Sequence, residues 1–343
     1  MFLPSSSDRP ATQLELRYAA PGDGDAPVLS VDGMTAAGPN LSHWPGNRTP
    51  PAWRADLSTG IALNFARASA TEQRAFLGDV QHVVNDHYDT DGFGALLAVL
   101  RPDVAFRTED TLMSAAAVGD FAVWHTWRGF AIDRIVKNLA HPDSPVRGAF
   151  HGVEGEAALS LARYRWLLDN AESVLTNTGG FRALYEEEMA AVQGELDQGL
   201  RGAVQVAHER EVGLGVLRSE GPRHRMTLNT LAGAWRVLHV IDGRDGVRYR
   251  YHDRTESWFD LVTIQPPPRR DLRLLRDRLR ALEPGRDGAR WHADPPDQPI
   301  PELYFGPWSE QEYGEITRDL RPSRLAPEAV HAAVLEFFAN PRT

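Results

Sequence analysis

The first hundred residues alternate short apolar runs with helical patterns. The runs at 28–33 and 83–85 have the length and β-branched content of buried strands. Between them, 58–68 and 71–79 carry the spacing of amphipathic helices, and a third helical pattern covers 92–100. An order of strand, helices, strand and helix predicts a parallel α/β sheet.

The pattern changes twice in the rest of the chain. A helical pattern extends over 108–200, and strand patterns begin near Leu231. Three predicted strands of an antiparallel meander span 235–241, 247–252 and 257–264. Two more helices are predicted to begin after Asp271, as N-cap, and at Pro327.

These patterns predict an α/β protein. An N-terminal parallel-sheet domain with a helical segment would be followed by a smaller C-terminal α+β domain, with bounds 1–220 and 221–343. The chain has 343 residues, which favours two hydrophobic cores over one.

Composition narrows the chemistry. The net charge of −10 has the wrong sign for a protein that binds nucleic acid or an anionic membrane, so a small-molecule substrate is expected. The absence of cysteine excludes disulfides, Cys-ligated zinc, iron–sulfur clusters and thiol nucleophiles. Residues 1–10 carry no signal-peptide pattern, and we expect a cytoplasmic protein. The oligomeric state is left open.

Candidate chemistry follows the second strand, in the segment His87-Tyr88-Asp89-Thr90-Asp91-Gly92. If the segment stays extended, His87, Asp89 and Asp91 project to one side, because strand side chains alternate. Carboxylate and imidazole groups bind divalent ions such as Mn²⁺ or Mg²⁺, and open α/β sheets bind ligands beyond the carboxyl ends of strands. We predict a metal site with Asp89 and Asp91 as ligands and His87 as a ligand or a base.

Three other interpretations of this segment compete. An EF-hand loop would place Ala98 at the twelfth position, where a bidentate Glu is needed, so we disfavour it. The acids could simply cap the following helix, although one Asp suffices for a cap. His87 and Asp89 are also two-thirds of the Fe²⁺ site of non-haem oxygenases, which a distal His would complete. The helix after Gly92 argues against that site.

A loop over 38–51 supplies further candidates, namely His43, Trp44 and Asn47. If the two strands run parallel, the loops after them meet at one edge of the sheet, which brings Asp32, His43 and Asn47 towards Asp89 and Asp91. There His43 could act as a general acid, with Trp44 and Asn47 contacting the substrate. The alternative is a loop in which Trp44 simply packs.

Another candidate segment contains His151 and Glu154. It could complete a metal shell, but we favour a helix start with Glu in its first turn.

The segment from His87 to Gly92 resembles the first motif of the DHH phosphoesterase superfamily. In that superfamily a strand ending in His-x-Asp-x-Asp-Gly leads into a helix and binds a pair of Mn²⁺ ions. The resemblance implies Asp120 as a further metal ligand that could bridge two ions, in place of the lone Asp of the second motif. It also implies His292 as a substrate-binding residue, near the expected Gly-Gly-Gly-His. The chain has neither that tetrapeptide nor an Asp-His-His triplet, so the number of bound metal ions, one or two, is left open.

The whole chain also resembles an uncharacterised bacterial family of unknown function. The resemblance rests on the segments 41–47, 87–92, 116–121 and 256–258. That family implies no activity.

Taken together, these features predict a metal-dependent hydrolase that acts on a phosphoester or phosphoanhydride of a small molecule. The C-terminal domain would close over the substrate. Two other classes are kept: a tailoring enzyme of small-molecule metabolism with an iron site, and a non-catalytic ligand-binding protein.

Overall fold

The computed structural model describes residues 14–18, 27–309 and 318–340. The chain forms two compact units: Met1–Met189 with Phe259–Ile264, and Ala190–Trp258 with Gln265–Thr343. A domain is a unit that folds independently, and compactness alone does not show independent folding. The predicted division into domains 1–220 and 221–343 therefore stays a prediction. Residues 1–10, examined for a signal peptide, lie outside the described residues.

The sheet of the first unit has four parallel strands in the order β1-β4-β2-β3. The strands are β1 (Glu15–Tyr18), β2 (Leu29–Val31), β3 (Asn40–Leu41) and β4 (His82–Asn85). The two strands predicted from the sequence, β2 and β4, are adjacent and parallel, with Leu29 opposite Val83. Their apolar side chains are fully buried, as expected for a sheet covered on both faces.

Helices make up most of the rest of this unit. They are α1 (Ser58–Arg67), α2 (Ala70–Leu77), α3 (Thr90–Leu100), α4 (Pro102–Arg107), α5 (Glu109–Phe121), α6 (Trp127–Lys137), α7 (Glu156–Asp169), α8 (Ala171–Thr176) and α9 (Glu186–Gln198), which ends in the second unit. Helix α3 is apolar all round, and its residues from Thr90 to Ala98 are buried. The first turn of α3, which carries Asp91, is therefore fixed within the core.

The second unit contains a mixed sheet in the order β5-β6-β7-β8-β10-β9. Its strands are β5 (Val204–Glu209), β6 (Leu214–Glu220), β7 (Arg236–Gly243), β8 (Gly246–Asp253), β9 (Arg290–Ala293) and β10 (Glu302–Gly306). Only the β6–β7 pair, among these strands, is parallel. The helices are α10 (Arg225–Ala232), α11 (Leu272–Leu282) and α12 (Pro327–Ala339). The predicted fold class is confirmed for both halves of the chain.

One predicted strand of the meander, 257–264, is wrong. Thr255–Ser257 forms a single helical turn, and Phe259–Ile264 belongs to the first unit without strand pairing. The physical reason is a side chain: the backbone N–H groups of Val262 and Thr263 donate to Asp56 Oδ1 at 2.6 and 2.9 Å. A carboxylate therefore replaces a neighbouring strand as hydrogen-bond partner.

No helix within the described ranges is both long enough and apolar enough to cross a bilayer.

Candidate metal centre

Three loops at the carboxyl edge of the parallel sheet hold the candidate site. Asp32 directly follows β2, His43 lies two residues after β3, and His87 lies two residues after β4. Carboxyl ends of parallel strands share one edge of a sheet, where open α/β folds bind ligands. The loops therefore converge although their residues are far apart in sequence.

Asp32 is the centre of the cluster. Its Oδ1 lies 3.7 Å from His43 Nε2, and its Oδ2 lies 3.3 Å from His87 Nε2. The residue is buried and has φ = +48°, in the left-handed region that non-glycine residues rarely adopt. Such strained backbone persists where the surroundings enforce it, and it concentrates at functional sites. Asp32 thus presents one carboxylate oxygen to each histidine.

Two groups of three residues could each hold a metal ion. They are Asp32, His87 and Asp89, and Asp32, His43 and Asp91; within each group the ligand atoms lie within 4.8 Å of one another. Asp120, from the end of α5, adds its Oδ2 at 3.3 Å from His43 Nε2. The two groups share Asp32, so its carboxylate belongs to both candidate sites.

The orientation of His43 tests whether these residues fit a cation. His43 Nδ1 lies 2.7 Å from the Asp56 carbonyl oxygen, which can only accept, so Nδ1 carries the proton of the neutral ring. Burial lowers the pKa of His43, which favours that neutral form. Nε2 is then a bare lone pair, buried and without a hydrogen-bond partner among the residues that the structure describes.

That lone pair faces carboxylates. Asp32, Asp91 and Asp120 each place an oxygen 3.3–3.7 Å from His43 Nε2. A ring nitrogen surrounded by acceptors is unfavourable unless a cation or a proton lies between them. The donor set therefore fits a bound metal ion.

His87 is held from its other side. Its Nδ1 lies 2.9 Å from Asp86 Oδ1, the carboxylate–histidine arrangement that orients metal-ligating imidazoles. Burial alone would lower the pKa of His87, but the Asp89 carboxylate and hydrogen bonds to Asp32, Asp86 and Asp89 raise it well above its usual value. Gly33 makes room for this arrangement, since a Cβ there would lie 2.3 Å from Asp86 Oδ1.

Asp89 and Asp91 do not lie on an extended strand, so the predicted alternation is wrong. Strand β4 ends at Asn85 and α3 begins at Thr90. Asp89 is the N-cap of α3, and its Oδ1 accepts from the Gly92 N–H at 2.8 Å while its Oδ2 lies 3.2 Å from His87 Nε2. The capping interpretation therefore holds for Asp89 alongside its contact with His87.

Asp91 caps a different helix. Its two carboxylate oxygens accept from the backbone N–H groups of Ser58 and Thr59 at 2.7 and 2.8 Å, at the start of α1. The positive end of α1 stabilises a charge there. The same Oδ2 lies 3.6 Å from His43 Nε2. Asp91 is thus fixed by α1 and oriented towards His43.

The buried acids repel one another. Burial, and after it the charges of Asp89 and Asp91, raises the pKa of Asp32 well above its usual value. Burial and neighbouring acids, Asp91 first, do the same to the pKa of Asp120. Burial also raises the pKa of Asp89, but the His87 charge outweighs it and the net shift is downward. A divalent cation would compensate this concentration of negative charge.

Supporting residues that the sequence did not reveal fix the loops. The Tyr164 hydroxyl of α7 donates to the His87 carbonyl at 2.9 Å and accepts from the Asp89 N–H at 3.1 Å. Phe259, far along the chain, stacks on the His43 ring with 3.8 Å between centroids. No local pattern announces either contact, because both join segments distant in sequence.

The remaining predicted residues have varied positions. The Trp44 ring lies 5.1 Å from the His87 ring, beside the cluster. Asn47 Nδ2 donates to Asp260 Oδ2 at 3.0 Å and to the Trp44 carbonyl at 2.9 Å, so its amide stabilises the loop. His292 belongs to the second unit, on β9, where it stacks on Tyr304. Substrate-binding roles for these residues stay predictions.

His151 and Glu154 are exposed and are in neither of the two metal-ligand groups. Helix α7 begins just after them, at Glu156, which agrees with the favoured interpretation of a helix start.

Comparisons with known proteins identify a family for the chain but no activity. No curated protein and no solved structure matches it significantly. The comparisons show no link to the DHH superfamily, whereas the resemblance to a family of unknown function is confirmed. The model of that family of unknown function, DUF6687, matches residues 18–343, and the chain belongs to it.

Proposed function

We propose that the first unit is a metal-dependent hydrolase that acts on a phosphoester or phosphoanhydride of a small molecule. One observation carries the metal part of the proposal: Asp32 offers one carboxylate oxygen to His43 and the other to His87. The first motif's similarity to that of the DHH phosphoesterases supports the choice of substrate class.

Ligand chemistry favours a hard cation. Carboxylates dominate the cluster, and sites rich in carboxylate oxygen suit Mg²⁺ and Mn²⁺ better than softer metals. The imidazoles of His43 and His87 suit Mn²⁺ in addition. We therefore propose Mn²⁺ as the first ion to test and Mg²⁺ as the second.

The residues of the cluster would have different roles because their surroundings differ. Asp91, fixed by the N-terminus of α1, and His43, fixed by the Asp56 carbonyl, would hold a cation in the buried part of the cluster. Asp89 and His87 are partly exposed and would face the substrate. A bound divalent ion supplies a water of lowered pKa and a positive charge opposite the developing charge on a phosphoryl group.

His87 would have one of two roles at its Nε2 atom. The hydrogen bond of Nδ1 to Asp86 aims Nε2 at Asp32 and Asp89. From there Nε2 would either bind the cation or accept a proton from the attacking water. In either role Asp86 stabilises the imidazole from behind.

Metal content and hydrolysis test the proposal together. Protein purified without chelator should contain manganese or magnesium by mass spectrometry. It should hydrolyse p-nitrophenyl phosphate, bis-p-nitrophenyl phosphate or pyrophosphate only when that metal is present. Iron would contradict the hydrolase and support the oxygenase class, and a protein that binds no divalent metal would contradict both.

A pair of variants on one helix sharpens the test. Asp120 and Asp110 both belong to α5, but Asp120 is close to His43 whereas Asp110 is exposed. Asp120→Asn should lower metal-dependent turnover at least tenfold, and Asp110→Asn should leave it unchanged. Equal turnover in both variants would remove Asp120 from the site.

A further inference from the structure

A cavity of about 360 Å³ lies at one edge of the sheet of the second unit. It is lined by the turn 285–289 and by the side chains of Arg290, His292 and Trp308. Its volume falls within the range of sites that bind small molecules, which is about 300–1,000 Å³. The groups that line the cavity therefore decide which small molecule it fits.

Strand alternation brings two of these side chains together. Strand β9 is the edge strand of the sheet, and its Trp291 and Ala293 pack in the core of the unit. Because strand side chains alternate, Arg290 and His292 both project to the opposite face. The two residues are one apart on the strand, so about 7 Å separates their Cα atoms. A guanidinium group and an imidazole thus line the cavity at a fixed spacing.

The turn that forms one wall of the cavity is closed by its own hydrogen bonds. The backbone N–H groups of Arg286 and Ala289 each donate to the carbonyl oxygen of the other residue, at 2.8 and 2.7 Å. Between them Asp287 and Gly288 have φ = +50° and +78°, as a type I′ turn requires, and Asp-Gly is a preferred pair for that turn. The wall is therefore preformed, so a ligand does not have to order it.

His292 has an unused ring nitrogen. Its side chain is buried, and Nε2 has no hydrogen-bond partner among the residues that the structure describes. Buried polar atoms are normally paired, so this atom calls for a partner. Burial, and after it the charge of Arg290, lowers the pKa of His292 to about 4, so the ring is neutral near pH 7. A hydroxyl group pairs with Nε2 in either tautomer of the neutral ring, because a hydroxyl both donates and accepts.

Trp308 supplies an aromatic surface. Its side chain is 58% exposed, and its ring centroid lies 5.5 Å from that of His292. The His292 ring also stacks on Tyr304, at 5.4 Å. Of these two neighbours Tyr304 is fully buried and Trp308 is exposed, so Trp308 is the ring that can move to admit a ligand to Nε2. Planar rings stack on one another at such distances, so an aromatic ligand fits against the indole.

We propose that this cavity binds a small aromatic acid that carries a hydroxyl group. The aromatic ring stacks on Trp308, the hydroxyl pairs with His292 Nε2, and the acid pairs with Arg290. Arg286 adds a second positive charge, because its own hydrogen bond, at 2.7 Å, goes to the neutral carbonyl group of Pro322. The cavity belongs to the second unit and shares no residue with the candidate metal centre, so the proposal goes beyond the proposed hydrolase and does not depend on it.

The test compares four ligands by calorimetry on the full chain, in excess EDTA so that the acidic cluster holds no metal. The first ligand, p-hydroxyphenylacetate, has all three features. Phenylacetate lacks the hydroxyl, tyrosol lacks the charge, and glucuronate lacks the planar ring. We expect p-hydroxyphenylacetate to bind at a single site and each of the other three to bind at least tenfold more weakly. A second ligand that binds as tightly as p-hydroxyphenylacetate, or failure of p-hydroxyphenylacetate to bind, would overturn the proposal.

Matched variants locate the site. His292→Phe keeps an aromatic ring but removes the nitrogen, so p-hydroxyphenylacetate and phenylacetate should bind to it with equal affinity. Arg290→Gln should weaken the binding of p-hydroxyphenylacetate at least tenfold, and Arg244→Gln, at an exposed arginine of the β7–β8 turn, should leave it unchanged. Thermal unfolding checks that the variants fold, and Arg290→Gln, at an exposed position, tests the site even if His292→Phe does not fold. Equal affinity in Arg290→Gln and Arg244→Gln would overturn the proposal.

Discussion

Asp32→Asn is the most informative single change to the candidate metal centre. The amide keeps the size and shape of the side chain, and Asn, like Asp, tolerates the left-handed backbone at φ = +48° better than most non-glycine residues. The substitution therefore removes a charge and a metal ligand with little direct effect on the backbone.

The variant should lose metal binding in both groups, because Asp32 is common to them. Removal of a residue that hydrogen-bonds to a metal ligand typically lowers metal affinity 10–100-fold, so removal of a direct ligand should lower it ~100-fold or more. At ~1.4 kcal/mol per tenfold change, that loss is at least about 2.8 kcal/mol of binding free energy.

The metal-free protein should respond in the opposite direction. Burial and the nearby acids raise the folded-state pKa of Asp32. A carboxyl group whose pKa is raised on folding destabilises the fold progressively as pH rises above its unfolded-state pKa, by up to ~1.4 kcal/mol per pH unit. Asn does not ionise, so in EDTA near neutral pH the variant should be at least as stable as the unaltered chain.

Two measurements decide the matter: calorimetric titration with Mn²⁺, and urea unfolding in EDTA. Asp86→Asn, which removes the partner of His87, should show the intermediate loss of about 10–100-fold. Asp79→Asn, at an exposed position, should show none. Unchanged Mn²⁺ affinity in Asp32→Asn would refute the metal centre, and a loss of several kcal/mol of metal-free stability would show that Asp32 is a structural acceptor instead.

Three other outcomes are expected. Tyr164→Phe removes the hydrogen-bond partner of the Asp89 N–H and the His87 carbonyl, so urea unfolding should show that the free energy of unfolding falls by ~1–3 kcal/mol. Tyr185→Phe, at another buried tyrosine, is the control. Burial on folding lowers the pKa of His239 to about 3, so as pH falls below ~6.5 the unfolded chain binds a proton on this ring that the folded chain does not bind. Between about pH 6 and 4 the free energy of unfolding should therefore fall by ~1.4 kcal/mol for each unit of pH lost, and His239→Gln should abolish this contribution to the pH dependence of stability. Mn²⁺ at about 100 times its Kd should stabilise the fold by ~2.7 kcal/mol and raise Tm, and a Tm that ignores both Mn²⁺ and EDTA would contradict the metal proposal.

The sequence predicted which edge of the sheet holds the site better than it predicted how the residues are arranged at that edge. The apolar runs around Leu29 and Val83 are long enough to identify two buried strands, and parallel strands force their loops together. That reasoning brought His43 towards the His87 segment. It did not predict β3, whose two residues, Asn40 and Leu41, are too few to form a pattern.

The details of the site depend on contacts that no local pattern encodes. The segment after Asn85 was expected to stay extended, but the cap at Asp89 starts α3 early and turns Asp91 towards α1. Asp32 was expected only near the site, although an acid after a buried strand and before Gly33 was a signal for a ligand. Phe259 gave no signal, because its partner His43 is more than two hundred residues away.

The return of Phe259–Ile264 to the first unit has a consequence for synthesis. A ribosome releases the chain from its N-terminus, and domains generally begin folding in that order. The first unit can build its sheet early, but the ring that stacks on His43 and the carboxylate that binds Asn47 emerge only after some two hundred and sixty residues have been made. Until then the loop of His43 lacks its cover. A nascent chain stalled before Phe259 should therefore leave this loop open to proteases that cannot cut it in the finished protein.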